Sequence, residues 1–213
     1  MAMLEYPKIE TIFNRDTEGT KKLIPGSYRN ETIEALSDLD WVWTEKIDGT
    51  NIRIHWDGHK ITFGGRTDTA QIPAELINWL NDKFINIETE ELFEQKFGDS
   101  DVTLYGEGYG RKIQKGGGSY IPDGVSFILF DVMIDGIWLR RDSVEDIAKT
   151  FAIDVVPIVG VGDLDDAVAY VRSKPNSKIG TAKMEGVVAR PLVELFDRLG
   201  KRVMVKIKVK DFE

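Results

Sequence analysis

The sequence predicts an α+β fold in which antiparallel sheets are flanked by helices. Short runs of alternating apolar and polar residues are joined by Asp-Gly turns, at residues 57–58 and 135–136. Between such runs lie segments whose apolar side chains recur at helical spacing, such as AELINWLNDKF at 74–84. The chain has 213 residues and no internal repeat. We therefore expect a single domain over residues 1–213.

Helices are predicted where a capping or helix-opening residue precedes a segment of helical periodicity. Asn30 can cap the first helix, Pro73 opens the second, and Thr89 precedes the third. The predicted helices cover residues 31–39, 74–84, 90–97, 142–151 and 163–174.

Strands are predicted where apolar residues alternate with polar ones, or where a short run is apolar throughout. Residues 41–57 contain two such runs, and Asp57-Gly58 turns the second into a third. The run SFILFDVMI at 126–134 is apolar on both faces and is predicted to be a buried central strand. The other predicted strands cover residues 60–65, 102–111, 184–190 and 202–210.

Composition excludes several kinds of chemistry. The chain contains no cysteine, which rules out disulfides, thiolate zinc sites and a cysteine nucleophile, and its two histidines are too few for a histidine metal cluster. It has no apolar run of the ~20 residues that a membrane-spanning helix needs. The first 14 residues lack a basic stretch followed by an apolar one. We therefore expect a cytoplasmic protein that does not use a membrane.

The net charge of −8 argues against a surface that binds a polyanion broadly, because phosphate contacts supply much of the affinity for nucleic acid. The charge is unevenly distributed, however. Residues 86–101 are rich in Glu and Asp, whereas residues 198–210 are rich in Lys and Arg. A local basic surface is compatible with an acidic total.

The last predicted strand places Lys206, Lys208 and Lys210 on one face, because side chains alternate along a strand. This lysine face has two interpretations. Lysines protect exposed sheet edges, so this strand could be a solvated edge. Alternatively, the three ammonium groups form a clamp for a phosphate.

A candidate nucleophile lies in EKIDGTNIR, residues 45–53, where Lys46 ends one strand and Asp48-Gly49 turns the chain into the next. A lysine held beside a tight glycine turn allows a substrate to approach closely. Such a lysine can attack phosphorus when it is neutral. The alternative is an ordinary hairpin turn with a solvated lysine.

Two carboxylates and one aromatic ring are further candidates. Glu107 and Glu185 lie within apolar or glycine-rich strands, where an unpaired carboxylate is costly to bury. Each should have a partner: a ribose hydroxyl, a lysine, a Mg²⁺ ion, or a structural ion pair. Phe130 lies in the predicted central strand and either packs in the core or stacks on a base. The glycine-rich segments at 106–110 and 115–118 lack the strand-to-helix context of a phosphate-binding loop.

Taken in order, these segments resemble the nucleotidyltransferase motifs of ATP-dependent ligases and mRNA capping enzymes. The K-x-D-G motif is Lys46 to Gly49, the aromatic-plus-Asp strand is SFILFDV, and E-G-V-V is Glu185 to Val188. The K-x-K motif is Lys206 to Lys208. The segments EKIDGTNIRI and GEGYGRKIQKGG are most similar to the RNA ligase branch. DNA ligases usually have K-x-D-G-x-R, whereas here the arginine comes later, at Arg53.

The resemblance implies an ATP-grasp-like nucleotidyltransferase domain that uses ATP and Mg²⁺, or Mn²⁺ in its place. Lys46 would attack the α-phosphate of ATP to give lysyl-AMP, and AMP would pass to a 5′-phosphate end that a 3′-hydroxyl then attacks. Glu185 would hold the metal, and Lys206 and Lys208 would neutralise the α-phosphate. The remaining implied nucleotide-binding residues are Glu45, the Ile47 backbone, Asn51, Arg53, Arg66, Glu107 for the ribose and Phe130 for the base.

The resemblance also defines what we expect of substrates and partners. The substrate would be RNA ends or nicks, with a DNA nick ligase as the nearest alternative and a capping guanylyltransferase less favoured. The alternative to an enzyme is a nucleotide-binding or protein-interaction module that keeps the fold but has no turnover. The chain stops at Glu213, where most relatives continue, so we expect no C-terminal OB domain. An accessory protein or a template would then help to hold the nucleic acid.

Overall fold

The computed structural model describes residues 3–213, so the first two residues of the expected 1–213 domain lie outside the described part. Its contacts divide the chain into two compact units. Unit I comprises Met1–Pro7 and Asp48–Val156, and unit II comprises Lys8–Ile47 and Pro157–Glu213. The K-x-D-G segment crosses the division, with Lys46 in unit II and Asp48 in unit I.

Strands and helices are numbered along the chain. The strands are β1 Glu10–Thr11, β2 Phe13–Arg15, β3 Leu23–Tyr28, β4 Trp41–Lys46, β5 Thr50–Trp56, β6 Ile61–Gly64, β7 Val102–Gly110, β8 Val125–Ile134, β9 Ile137–Trp138, β10 Asp154–Val155, β11 Ile158–Gly162, β12 Gly186–Pro191 and β13 Val205–Lys208. The α-helices are α1 Glu31–Ala35, α2 Ala74–Phe84, α3 Ile87–Phe97, α4 Arg141–Thr150 and α5 Leu164–Arg172.

Unit I is built on a six-stranded sheet in the order β10-β8-β7-β5-β6, with β9 paired to β8. Helices α2 and α4 pack on β8, and α3 packs on α2. Their apolar faces and one face of the sheet enclose a core that includes Ile54, Leu80, Phe93 and Phe127. The prediction that 126–134 is a central strand is confirmed, because β8 pairs on both sides.

Unit II is built on a five-stranded sheet in the order β1-β13-β12-β4-β11, beside a separate β2-β3 hairpin. Helix α5 packs on β11, β12 and β13. Its core includes Trp41, Val168, Val187 and Val205. Both large sheets are mainly antiparallel, but β1 pairs with β13, and β10 with β8, in parallel.

Capping side chains explain where the predicted helices agree with the structure and where they do not. The helix at 74–84 is confirmed, and Asn30 caps α1 by accepting from the Ile33 amide at 2.9 Å, although α1 ends at Ala35 instead of residue 39. The predicted start of α3 was too late. Asn86 accepts from the Thr89 amide at 3.0 Å, so the helix begins at Ile87 and Thr89 lies in its first turn.

The predicted strand over 202–210 was too long, and Lys210 was wrongly placed on it. Strand β13 ends at Lys208, and Val209–Phe212 form a 3₁₀ turn. Asp211 is buried in this turn, and its carboxylate pairs with Arg15 at 2.8 Å. This ion pair favours the turn over a continued extended strand. The edge-strand interpretation was also wrong, since β13 lies between β1 and β12.

Across residues 3–213, none of the helices combines the length and the apolar character that crossing a bilayer requires.

Candidate active site

Three neighbouring strands of unit II bring two lysines to the same point. In the β4-β12-β13 register, Gly186 lies opposite Lys46 on one side and Lys208 on the other. Residues directly paired across a sheet project to the same face. Lys46 and Lys208 therefore project from the same face of the sheet. Both ammonium groups bond Glu185, the residue before Gly186, with Lys46 Nζ 2.7 Å from Oε2 and Lys208 Nζ 2.5 Å from Oε1.

A glycine at position 186 permits this convergence. A Cβ atom there would overlap the carbonyl oxygen of Ile207 and lie 2.8 Å from the Cα of Lys208. Its φ of +156° is also rare for residues with a side chain. The G of E-G-V-V is thus required by the close approach of β13 to β12.

The Lys46–Glu185–Lys208 cluster is largely shielded from solvent. The exposed fractions of the three side chains are 23%, 15% and 19%. Burial by itself would raise the pKa of Glu185, but the charges and hydrogen bonds of Lys46 and Lys208 outweigh it and hold that pKa below its usual value. Glu185 is therefore ionised, and the cluster carries one negative and two positive charges when both lysines are protonated.

Lys206 extends the basic face of the cluster. It pairs in register with Val188 of β12, two positions from the pair formed by Lys208 and Gly186. Because side chains alternate, Lys206 and Lys208 share a face of β13, and both are half-buried. The structure thus confirms that the two lysines share a face, as the alternation predicts.

Glu45 lies on the opposite face of β4 from Lys46. Its side chain is almost fully buried, and Oε2 accepts from the Lys178 amide at 2.7 Å. Within residues 3–213, Oε1 has no hydrogen-bond partner. Ile47, which follows the lysine, is also buried. The Glu45 carboxylate therefore anchors the 178 loop within unit II.

The second group of predicted residues belongs to unit I. Asn51 of β5 and Glu107 of β7 are direct neighbours in the antiparallel register. Asn51 Oδ1 is buried and accepts no hydrogen bond from the described residues, which makes it available to a ligand donor. Gly49 packs against the same strand, since a Cβ there would overlap the Gly108 carbonyl oxygen and lie 2.8 Å from Glu107 Cγ.

Phe130 is half-buried in β8, and one part of its ring is covered. The ring of Tyr6 meets it edge-on, with centroids 4.9 Å apart and planes at 74°. The Tyr6 hydroxyl donates to Asp131 at 2.8 Å, which fixes the tyrosine in this position. Phe130 therefore has a partly exposed ring that packs against Tyr6, and it is not a fully buried core residue.

Arg53 is fully buried, and its guanidinium is engaged within unit I. Nε donates to the Gly65 carbonyl at 2.7 Å, Nη1 to Met3 at 2.9 Å, and Nη2 to Asp68 at 2.9 Å. These bonds hold the segment that carries Arg66, whose side chain is exposed. Arg53 thus supports the backbone beside Arg66.

Several residues that contact the predicted site were not identified from the sequence. They are Tyr6 on Phe130, Lys178 on Glu45, and Gln114 and Tyr120, which bond the Asp48-Gly49 turn. The glycine-rich segment at 115–118 was the only available signal for the last two. Their contacts join positions more than 60 residues apart, which periodicity does not reveal.

A divalent cation would find few acidic ligands in the described part of the chain. Residues 3–213 contain no group of three or more His, Cys, Asp or Glu side chains arranged to hold a metal. Glu185 is the acidic residue of the lysine cluster, and each of its oxygens is bonded to an ammonium group. Glu185 would fit a metal only if Lys46 no longer carried its charge.

The sequence model of the RNA ligase family matches residues 39–208, most of the chain. A search of curated proteins found no match.

Similar solved structures include those of an RNA ligase from Naegleria gruberi. A variant of that ligase with ATP and Mn aligns with a TM-score of 0.67 at 20% identity, over 98% of this chain and 57% of the other. The same ligase with PPi aligns at 0.63 and 20% identity, over 97% and 62%. A variant with AMP and Mn aligns at 0.64 and 18% identity, over 97% and 62%. The chain thus spans about three-fifths of the length of these neighbours, and the likeness shows that the fold is shared.

Proposed function

Because this chain belongs to the RNA ligase family, we propose that it is an ATP-dependent RNA ligase that joins 5′-phosphate and 3′-hydroxyl ends through lysyl-AMP on Lys46. The observation that carries this proposal is the Lys46–Glu185–Lys208 cluster. It places a mostly buried lysine at a strand end, beside a second lysine and an ionised carboxylate.

In the proposed first step, the Lys46 nitrogen forms a bond to the α-phosphorus of ATP while the bond to pyrophosphate breaks. Lys46 must be neutral to attack. Since the pKa of Glu185 is held below its usual value, that carboxylate is a poor acceptor for the departing proton. We assign Glu185 the role of orienting the Lys46 amine, and the proton passes to water or to a phosphate oxygen.

Lys206 and Lys208 supply positive charge on the same face as Lys46. Phosphoryl transfer depends mainly on positioning and on charge placed in advance around the phosphate oxygens. We propose that these lysines neutralise the α-phosphate in each step. Lys208 is already held by Glu185, so little reorganisation is needed when the phosphate arrives.

We propose that a further group of residues binds the nucleotide. Glu107 would hold the ribose, and Phe130 would stack on the base. Asn51, whose side-chain oxygen accepts no bond from residues 3–213, and exposed Arg66 would orient the nucleotide or the incoming 5′-phosphate. Arg53 would act through the segment that carries Arg66. The Glu45 and Ile47 segment would contact the adenine.

Mg²⁺ or Mn²⁺ is the proposed metal, with Glu185 as its protein ligand. A bound divalent cation would neutralise charge on the phosphates. Loss of the Lys46 proton on the way to the phosphoramidate removes its positive charge, which would release one Glu185 oxygen. The Naegleria ligase structures with ATP, AMP and Mn support the use of a nucleotide and a divalent metal. A single domain over 1–213, an accessory protein and a cytoplasmic location remain predictions.

The test is the intact mass of the protein after incubation with ATP and Mg²⁺. We expect the wild type to gain one adenylyl group, Lys46→Ala to gain none, and the exposed-lysine control Lys60→Ala to behave as the wild type. Sealing assays with RNA and DNA ends then distinguish the two ligases. An adduct formed only with GTP would indicate capping chemistry. Absence of any adduct, in a protein not already adenylylated, would leave a nucleotide-binding module.

A further inference from the structure

The loop between β7 and β8 bonds the turn that follows Lys46 in the chain. The Asp48 amide donates to the Tyr120 hydroxyl at 3.2 Å, and the Gln114 side-chain amide donates to the Gly49 carbonyl at 3.0 Å. Two consecutive residues of the turn are thus held by two side chains of one loop. All four residues belong to unit I.

The loop is itself firmly anchored. Gly117 packs so closely on Gly110 that a Cβ there would overlap the Gly110 carbonyl oxygen. The Arg111 amide donates to the Gly124 carbonyl at 2.9 Å, which closes the base of the loop. The rings of Tyr109 and Tyr120 meet edge-to-face at 5.8 Å. The glycine-rich sequence therefore serves close backbone packing, which gives Tyr120 a fixed position.

The other side of the turn rests on β7. Gly49 lies against the Gly108 carbonyl and against Glu107, close enough to exclude any side chain. The turn is therefore enclosed between a strand and the loop, and two of its polar backbone groups, the Asp48 amide and the Gly49 carbonyl, are bonded from the loop side. Such a turn has little freedom to change its backbone conformation.

We infer that residues 111–120 form a clamp that positions the Asp48-Gly49 turn, with Tyr120 and Gln114 as its positioning residues. The inference rests on the proposed function, in which Lys46 is the nucleophile. Only Ile47 separates Lys46 from the clamped turn. A fixed turn therefore restricts the backbone conformations that Lys46 and Ile47 can adopt. An error of about 1 Å in the position of a reacting group can lower a rate about 100-fold.

Both positioning residues can be altered without opening a cavity in the core. Gln114 is exposed and Tyr120 is half-buried. Tyr120→Phe removes one hydroxyl and keeps the ring, and Gln114→Ala removes one surface side chain. Tyr28→Phe, a half-buried tyrosine, and Gln95→Ala, an exposed glutamine, are matched controls, since the side chains that bond the turn are those of Tyr120 and Gln114.

The experiment measures single-turnover adenylylation of Lys46 and the binding of ATP in each full-length variant. We expect Tyr120→Phe and Gln114→Ala each to slow adenylylation about 3- to 10-fold, the effect of losing one hydrogen bond, with ATP affinity unchanged and the protein still folded at the assay temperature. The double variant should be slower than either single variant. The two controls should match the wild type.

Hydrogen exchange of the Asp48 amide provides a second measurement that does not depend on activity. We expect faster exchange in Tyr120→Phe than in the wild type, with no change in Tyr28→Phe. Unchanged adenylylation rates would overturn the clamp, and so would a fold-loss of ATP affinity equal to the fold-loss of rate. If the wild type forms no adduct, the proposed function fails, and unchanged Asp48 exchange in Tyr120→Phe would separately show that the contact is absent.

Discussion

Replacing Gly186 by alanine tests the close packing that brings the lysines together. The new methyl group would overlap the Ile207 carbonyl oxygen and lie 2.8 Å from the Lys208 Cα, and the residue would keep a φ of +156°. A side chain in a sparsely populated backbone region costs about 1–3 kcal/mol. Overpacking costs about 1–3 kcal/mol more. We therefore expect the free energy of unfolding to fall by about 2–6 kcal/mol, a large share of the ~5–15 kcal/mol of a typical domain.

Urea unfolding followed by circular dichroism measures this loss. Gly118→Ala is the matched control, because a Cβ at Gly118 has nothing within 4 Å, and its effect should stay within about 0.5 kcal/mol. We also expect Gly186→Ala to lose adenylylation under conditions where it is still folded, because β13 must move away and take Lys208 with it. If Gly186→Ala were as stable as Gly118→Ala, the close approach of β13 to β12 would be refuted.

Three further changes test other contacts. Glu185→Gln should reduce stability at neutral pH. Because the folded pKa of Glu185 is lowered, this difference should be complete above the ordinary glutamate pKa, decline below it, and vanish once the pH has fallen through the folded value, in urea titrations across pH. Arg53→Met removes three bonds of a buried guanidinium and should cost about 2–4 kcal/mol by urea unfolding, whereas exposed Arg198→Met should cost little. Asn86→Ala removes the α3 cap and should cost about 1 kcal/mol in thermal unfolding, and an unchanged melting temperature would contradict the cap.

Local sequence determined much of the fold. The helix at 74–84 follows from its apolar spacing after Pro73, and the β5-β6 hairpin follows from Asp57-Gly58 between alternating runs. These signals lie within about ten residues of the elements they specify. The end of β13 was not predictable in this way, because it depends on the ion pair of Asp211 with Arg15, which lies at the other end of the chain.

The sequence by itself also determined the identity of the candidate nucleophile and its charged partners, since Lys46, Glu185 and the lysine pair lie in recognisable motifs in the expected order. The tertiary structure decided how they are arranged. Only the β4-β12-β13 register shows that Gly186 lies between the two lysines and that Glu185 bonds both. Likewise, only folding brings Tyr120 to the Asp48 amide. The physical reason is that strand pairing and loop packing join residues distant in sequence, through shape and hydrogen bonding that no local pattern encodes.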